Sequence, residues 1–194
     1  VALGWLGLRI KPCAFPPLAE TGSEPERVAL PDDLPAPVIR FYQELYGDDV
    51  PLIESAVFSG RARLRIKGIT FPARFRFTHE AGESYRHDIE ATWFGLTLMK
   101  VHEVYEEGHA RLELPFGVSE GPGVDQGANL ALWGEAIWYP SVWVTDPRVR
   151  WEPIDEETAV LVVPFGEGEQ RFVVRFDPAT EMLRFLESMR FKGE

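Results

Sequence analysis

The chain has 194 residues, 45% of them hydrophobic and 26% charged, enough for a sizeable buried core. Its net charge is -11 and its pI is near 4.9; a nucleic-acid binder needs a cationic surface to displace counterions, so no nucleic-acid partner is expected. One cysteine, Cys13, excludes an internal disulfide and a cysteine-built zinc site.

Val1 to Ile10 (VALGWLGLRI) is apolar but far shorter than the ~20 residues of a membrane helix. Two readings stay open: the cut end of a membrane anchor with Arg9 and Lys11 at the interface, or an N-terminal strand or packing arm. Pro12 to Asp33 is rich in Pro, Glu, Ser and Gly and reads as a linker or surface loop. Residues 1–33 are therefore assigned to a leader and linker, with an anchor remnant as one of its two readings, and 34–194 to one curved-sheet domain. Pro35 to Tyr46 reads as a short amphipathic helix with Val38, Phe41, Tyr42 and Leu45 on one face and Gly47 as its stop.

From Ile53 the hydrophobic period changes to two. Ala56, Phe58, Gly60, Ala62, Leu64 and Ile66 alternate with Arg61, Arg63, Arg65 and Lys67; after a Lys67-Gly68 turn, Ile69, Phe71, Ala73, Phe75 and Phe77 alternate with Arg74 and Arg76. Past an Ala81-Gly82 turn, Tyr85, His87, Ile89, Ala91 and Trp93 oppose Arg86, Asp88, Glu90 and Thr92, and 96–105 and 109–116 continue the meander. The arginines are read as a solvated outer face, paired with Asp88, Glu90 and Glu113. Four more strands are expected over 148–153, 158–164, 170–176 and 181–192, the last two joined by a turn at Asp177-Pro-Ala-Thr180.

Gly121 to Trp151 interrupts this pattern. It holds four of the chain's six tryptophans and one helix, with Leu130, Trp133 and Ile137 on one face; Tyr139-Pro140 ends it, and Trp143 and Trp151 follow on extended chain. The fold class expected is mainly β (α+β): a curved antiparallel sheet or half-barrel around one central helix, with a short N-terminal helix.

Gly117-Val-Ser119-Glu-Gly121 matches the nucleophile elbow G-x-S-x-G. Pro122-Gly123 stands where the elbow's helix should be running, and all four histidines (His79, His87, His102, His109) precede the serine, whereas that fold places its base after it. Ser119 is taken as a turn residue and no catalytic residue is assigned. The histidines have no metal-ligand spacing; His87 is read as a satisfied core histidine, His102 and His109 as solvated, and neither metal nor cofactor is expected.

The phrases Leu34-Pro-Ala-Pro-Val38, Val124 to Val144 (VDQGANLALWGEAIWYPSVWV), Val149-Arg-Trp151-Glu and Ile154-Asp155 resemble a family of uncharacterised bacterial membrane-anchored proteins, over roughly residues 30 to 192. The resemblance implies a half-barrel similar to lipoprotein carriers of the LolA and LppX type, which hold acyl chains in an apolar concavity. It also implies strands beyond Met189-Arg-Phe191, so the chain is expected to be trimmed. No activity or catalytic residue comes with it.

The function expected is non-enzymatic binding of a lipid or other hydrophobic ligand, at a membrane and more on its extracytoplasmic side. The pocket residues named are Phe58, Phe75, Phe77, Tyr85, His87, Trp93, Trp133, Ile137, Trp138 and Trp143. The alternatives are a structural module with a self-packed core and a strand-edge partner, and, last, a serine hydrolase using Ser119.

Overall fold

Two-residue turns set the larger sheet. Lys67-Gly68, Phe94-Gly95 and Glu107-Gly108 each hold both residues at positive φ (46° and 86°, 53° and 77°, 52° and 82°). That geometry matches the right-handed twist of flanking strands and so closes tight hairpins. The computed structural model describes residues 2–18 and 24–190, with side chains omitted for residues 2 and 3.

In chain order the elements are α1 (Ala2–Gly7), β1 (Arg27–Ala29), α2 (Ala36–Tyr46), β2 (Asp49–Pro51), β3 (Ser55–Ile66) and β4 (Ile69–Glu80). There follow β5 (Ser84–Trp93), β6 (Leu96–Glu106), β7 (His109–Leu114), β8 (Gly117–Ser119) and α3 (Pro122–Glu135). After a 3-10 turn at Ala136–Trp138 come α4 (Val142–Thr145), β9 (Arg150–Pro153), β10 (Thr158–Phe165), β11 (Gly168–Phe176) and β12 (Leu183–Ser188). Strand outweighs helix, 48% to 20%; the sheets are antiparallel and none closes. The chain forms two compact units: Val1–Gly22 with Ser55–Asp125, and Ser23–Glu54 with Gln126–Glu194. We call them the meander unit and the tryptophan unit.

The meander unit is a six-stranded sheet in sequential order, β3 to β8. β3 and β4 pair along their whole length, from Ser55↔Glu80 to Ile66↔Ile69. The β5–β6 register shifts after Ala91: Ala91 faces Met99 but Thr92 faces Thr97, which leaves Leu98 as the extra residue of a bulge. Beyond it the simple alternation fails. Thr92 is fully buried, its hydroxyl donating to the Pro72 carbonyl at 3.0 Å, and Trp93 is 41% exposed.

The apolar N-terminus is a packing arm in helical form. The Phe94 N–H donates to the Gly7 carbonyl at 3.0 Å and the Trp93 indole N–H to the Gly4 carbonyl at 3.1 Å. The arginine stripe is solvated at Arg61, Arg63 and Arg65, but the segment that follows the arm part-covers Arg74 and Arg76, which corrects the solvated reading for those two. Arg61 donates to the Pro12 carbonyl at 2.9 Å, Arg74 to that of Cys13 at 3.4 Å, and Arg76 to that of Pro16. The Phe15 ring lies under the Arg74 and Arg76 guanidinium groups, 4.4 and 4.9 Å from its centroid. A proline-rich extended chain offers main-chain carbonyls that no ladder uses, and guanidinium groups supply the donors. Of the expected ion pairs, Arg74–Glu90 forms at 2.6 Å, while Asp88 binds His102 and Glu113 binds Arg111.

The tryptophan unit has a four-stranded sheet, β12-β11-β10-β9. A two-stranded ladder, β1 with β2, lies partly in the stretch read as linker, whose residues 19–23 are outside those described. β11 buries Phe172, Val174 and Phe176 in alternation, and β10 buries Ala159 and the run Leu161 to Val163. α2 buries Val38, Phe41 and Tyr42, whereas Leu45 in its last turn is 40% exposed. Trp143 sits in helix α4, not on extended chain. β12 ends at Ser188, and the expected continuation through Phe191-Lys192 lies outside the described residues.

Candidate functional site

Three of the four tryptophans of the tryptophan unit are tied to one another. Trp143 donates its N–H to the Trp133 carbonyl at 3.0 Å, and Trp151 donates its own to the Trp143 carbonyl at 3.0 Å. The Trp143 and Trp151 rings meet edge to face at 6.3 Å. Trp133 is 1% exposed and Trp143 fully buried. The end of α3 departs from the expected face. The tighter 3-10 turn buries Ala136, while Ile137 and Trp138 are 41% and 71% exposed. The Tyr42 hydroxyl pins the turn by donating to the Pro140 carbonyl at 2.6 Å.

In the meander unit the aromatic face carries a polar centre. His87 lies between Phe77 and Tyr85, its ring stacked at 4.0 Å on each. His79 meets Phe58 edge to face at 5.8 Å. The two histidines bring their Nε2 atoms to 3.4 Å. On the other side of His87, Nδ1 is 3.8 Å from one oxygen of Glu103, whose second oxygen accepts the Tyr85 hydroxyl at 2.9 Å. Phe75 packs on Phe77 at 4.9 Å. His79 continues the alternation Phe71, Ala73, Phe75, Phe77 by one more step, so the sequence held the signal for it beside His87.

Elsewhere in this unit lie two clefts. An apolar one of about 460 Å³ is lined by Gly4, Trp5, Leu8, Ile69, Phe71, Trp93 and Leu98. A second, of about 980 Å³, shares Trp5, Leu8 and Ile69 with the first and is lined by four cationic side chains, Arg9, Lys11, Arg61 and Arg63. Of the aromatic positions named from the sequence, Trp93 lines the apolar cleft; Phe58, Phe75, Phe77, Tyr85 and His87 gather around the histidine pair; Trp133, Ile137, Trp138 and Trp143 belong to the tryptophan unit. Leu98 could not be read from the alternation because the bulge aims it.

The Ser119 motif has more of the elbow's context than expected. β8 ends at Ser119 and α3 begins at Pro122, so the helix does follow directly. The nearby histidines face acids instead: His102 binds Asp88 at 2.8 Å, and His109 is 3.6 Å from Asp125.

A family model matches residues 24–194, over four-fifths of the chain. The chain belongs to DUF6544, a family of unknown function. No curated protein and no solved structure matches it. The DUF6544 match includes both histidines and all of the tryptophan unit from residue 24 onward; Trp5, Leu8, Arg9 and Lys11 fall before it. Among the described residues no helix is long and apolar enough to cross a membrane.

Proposed function

We propose that the meander unit binds an anionic amphiphile, with its acyl chain in the apolar cleft and its carboxylate or phosphate head in the cationic one. The observation that carries this is the adjacency of the two clefts through Trp5, Leu8 and Ile69. A volume of about 460 Å³ is within the range of ligand pockets. Each methylene taken from water contributes about 0.8 kcal/mol. Arg9, Lys11, Arg61 and Arg63 concentrate positive charge on a chain whose net charge is -11, so the anionic end is drawn to this cleft. Carriage of a membrane lipid, of the kind the curved-sheet lipoprotein carriers perform, is the form of this reading that puts the protein at a membrane.

A fluorescent medium-chain fatty acid tests it. Saturable binding that weakens at least tenfold in Arg61→Glu/Arg63→Glu, and that falls with added salt, is the expected result. Equal binding of the uncharged methyl ester removes the head-group part; no saturable binding of either removes the whole reading.

A second reading rests on the tryptophan unit. Its core is self-packed, and β12 is a terminal strand of its sheet, with Phe185 on it 47% exposed. Such an edge accepts a partner strand. Site-specific crosslinking from β12 that captures a strand-forming partner favours this interaction module over the carrier.

A further inference from the structure

We propose that His79 and His87 are two ligands of a borderline divalent metal ion of the zinc class. Pairing of β4 with β5 sets Phe77 opposite His87 and His79 opposite Tyr85, so the two histidines are diagonal neighbours on one face. Their Nε2 atoms converge to 3.4 Å. At that separation the rings share at most a long N–H···N hydrogen bond. The same separation is the edge of a coordination tetrahedron: two nitrogens each about 2.0–2.1 Å from a shared Zn²⁺ stand about 3.3–3.4 Å apart.

The surroundings fit a metal ligand. His79 is fully buried and His87 is 5% exposed. Phe77 and Tyr85 clamp the His87 ring from both sides. Its far nitrogen, Nδ1, faces Glu103 at 3.8 Å, and Glu103 is anchored by the Tyr85 hydroxyl at 2.9 Å. A carboxylate behind a ligating imidazole fixes its tautomer and raises its basicity. The negative charge of Glu103 also offsets a cation brought into an apolar wall. Imidazole ligands select Zn²⁺, Co²⁺, Ni²⁺ or Cu²⁺ over Ca²⁺ and Mg²⁺. Two imidazoles leave coordination positions for water or an anion. None of these five residues lines either cleft, so the metal site stands apart from the amphiphile reading.

The test uses the full chain after chelator treatment. Titration with Co²⁺ is expected to give one equivalent of saturable binding with the intense visible absorption of a tetrahedral site. Zn²⁺ should displace it, and X-ray absorption on the zinc-loaded protein should count two imidazoles. His79→Gln and His87→Gln should each weaken Zn²⁺ at least a hundredfold. Glu103→Gln should weaken it tenfold or more without changing stoichiometry. His102→Ala/His109→Ala should leave it unchanged. A chain that gives no such absorption, or a zinc site with fewer than two imidazoles, overturns the proposal. So does full binding in both glutamine variants. Should those variants fail to fold, the cobalt spectrum and ligand count of the unaltered chain decide alone.

Discussion

Trp133 and Trp143 in one unit and Trp5 and Trp93 in the other are spent in opposite ways. In the tryptophan unit the indole N–H of Trp143 closes on the Trp133 carbonyl and that of Trp151 on the Trp143 carbonyl, and Trp133 and Trp143 are sealed from solvent, while Trp138 is 71% exposed. In the meander unit Trp93 also has its N–H satisfied, by Gly4, yet its ring is 41% exposed and Trp5 is 64% exposed. Aromatic content alone therefore marks neither core nor site. What separates them is whether ring area and polar handle are both used up. Where both are, the residue is structural; where the handle is fixed and the ring is left over, the ring is an oriented wall for something else.

The sharpest way to break this contrast is to remove a ring from each side. Trp143→Ala empties the centre of a closed core and should cost about 3–5 kcal/mol in chemical denaturation. Trp143→Phe keeps most of the ring but leaves the buried Trp133 carbonyl without its donor, and should cost about 1–3 kcal/mol. A loss below 1 kcal/mol in Trp143→Ala means that the tryptophan unit is not the closed core described.

In the meander unit the effects should fall on binding instead. Leu98 is 54% exposed at the bulge, so Leu98→Asp should change stability by about 0.5 kcal/mol or less. The same change sets a charge in the apolar cleft and should cut fatty-acid affinity more than tenfold, about 1.4 kcal/mol. Gly7→Ala approaches the same cleft through the backbone. A Cβ there would collide with the Trp93 indole and stand 2.7 Å from the Phe94 ring, so α1 or those two rings must shift and affinity should fall with them. Equal losses of stability and binding in Leu98→Asp would erase the distinction between the two units.

Period-two alternation made the meander legible because a half-buried strand must put alternate side chains on opposite faces. Lys67-Gly68 was legible because a two-residue turn at positive φ favours glycine. The clefts were not. Leu98 reaches its cleft through a bulge, a one-residue slip that leaves no mark in composition. Trp5 and Leu8 sit in a mostly apolar ten-residue stretch, Val1 to Ile10, that fits a strand, a packing arm or the end of an anchor equally well. The face of Trp133 and Ile137 was misread because a continuous 3.6-residue helix was assumed, and the chain tightens at Ala136. Trp143 was misplaced because Tyr139-Pro140 does end α3's run, but a proline after one helix says nothing against another starting two residues later. His87 was legible as an inward residue, and His79 falls one step beyond Phe77 on the same alternation. Their convergence depends on which strand residue faces which, and that is register, not sequence spacing.

Charge gives the finest version of the contrast. On the tryptophan unit's sheet, Arg150, Glu152, Glu169 and Arg171 form a closed ring of contacts at 2.7–3.2 Å, each side chain 38% exposed or more. Hydrogen bonds from Arg150 and then Arg171 hold the Glu169 carboxyl down at about 2, from an ordinary 4.5. Because the folded value is depressed, the stabilisation is fully present above the ordinary carboxylate range and is lost as pH falls from about 4.5 toward about 2. Glu169→Gln should lose that contribution at pH 7, a small loss because the ring is exposed, and converge on the parent chain near pH 2, so that the acid limb of its pH–stability curve is flatter in that window. In the meander unit Glu90 is also held low: burial pushes it up, but bonds from Thr97 and Arg74 outweigh burial. Its Arg74 partner contact, at 2.6 Å, has side chains only 26% and 13% exposed. Salt screens exposed pairs before covered ones. In an NMR titration of both carboxylates, 0.5 M salt, with its Debye length of about 4–5 Å, should therefore return Glu169 toward its ordinary value well before Glu90. Equal movement of the two would mean that the segment at Pro12 to Pro16 does not shelter the arginine face.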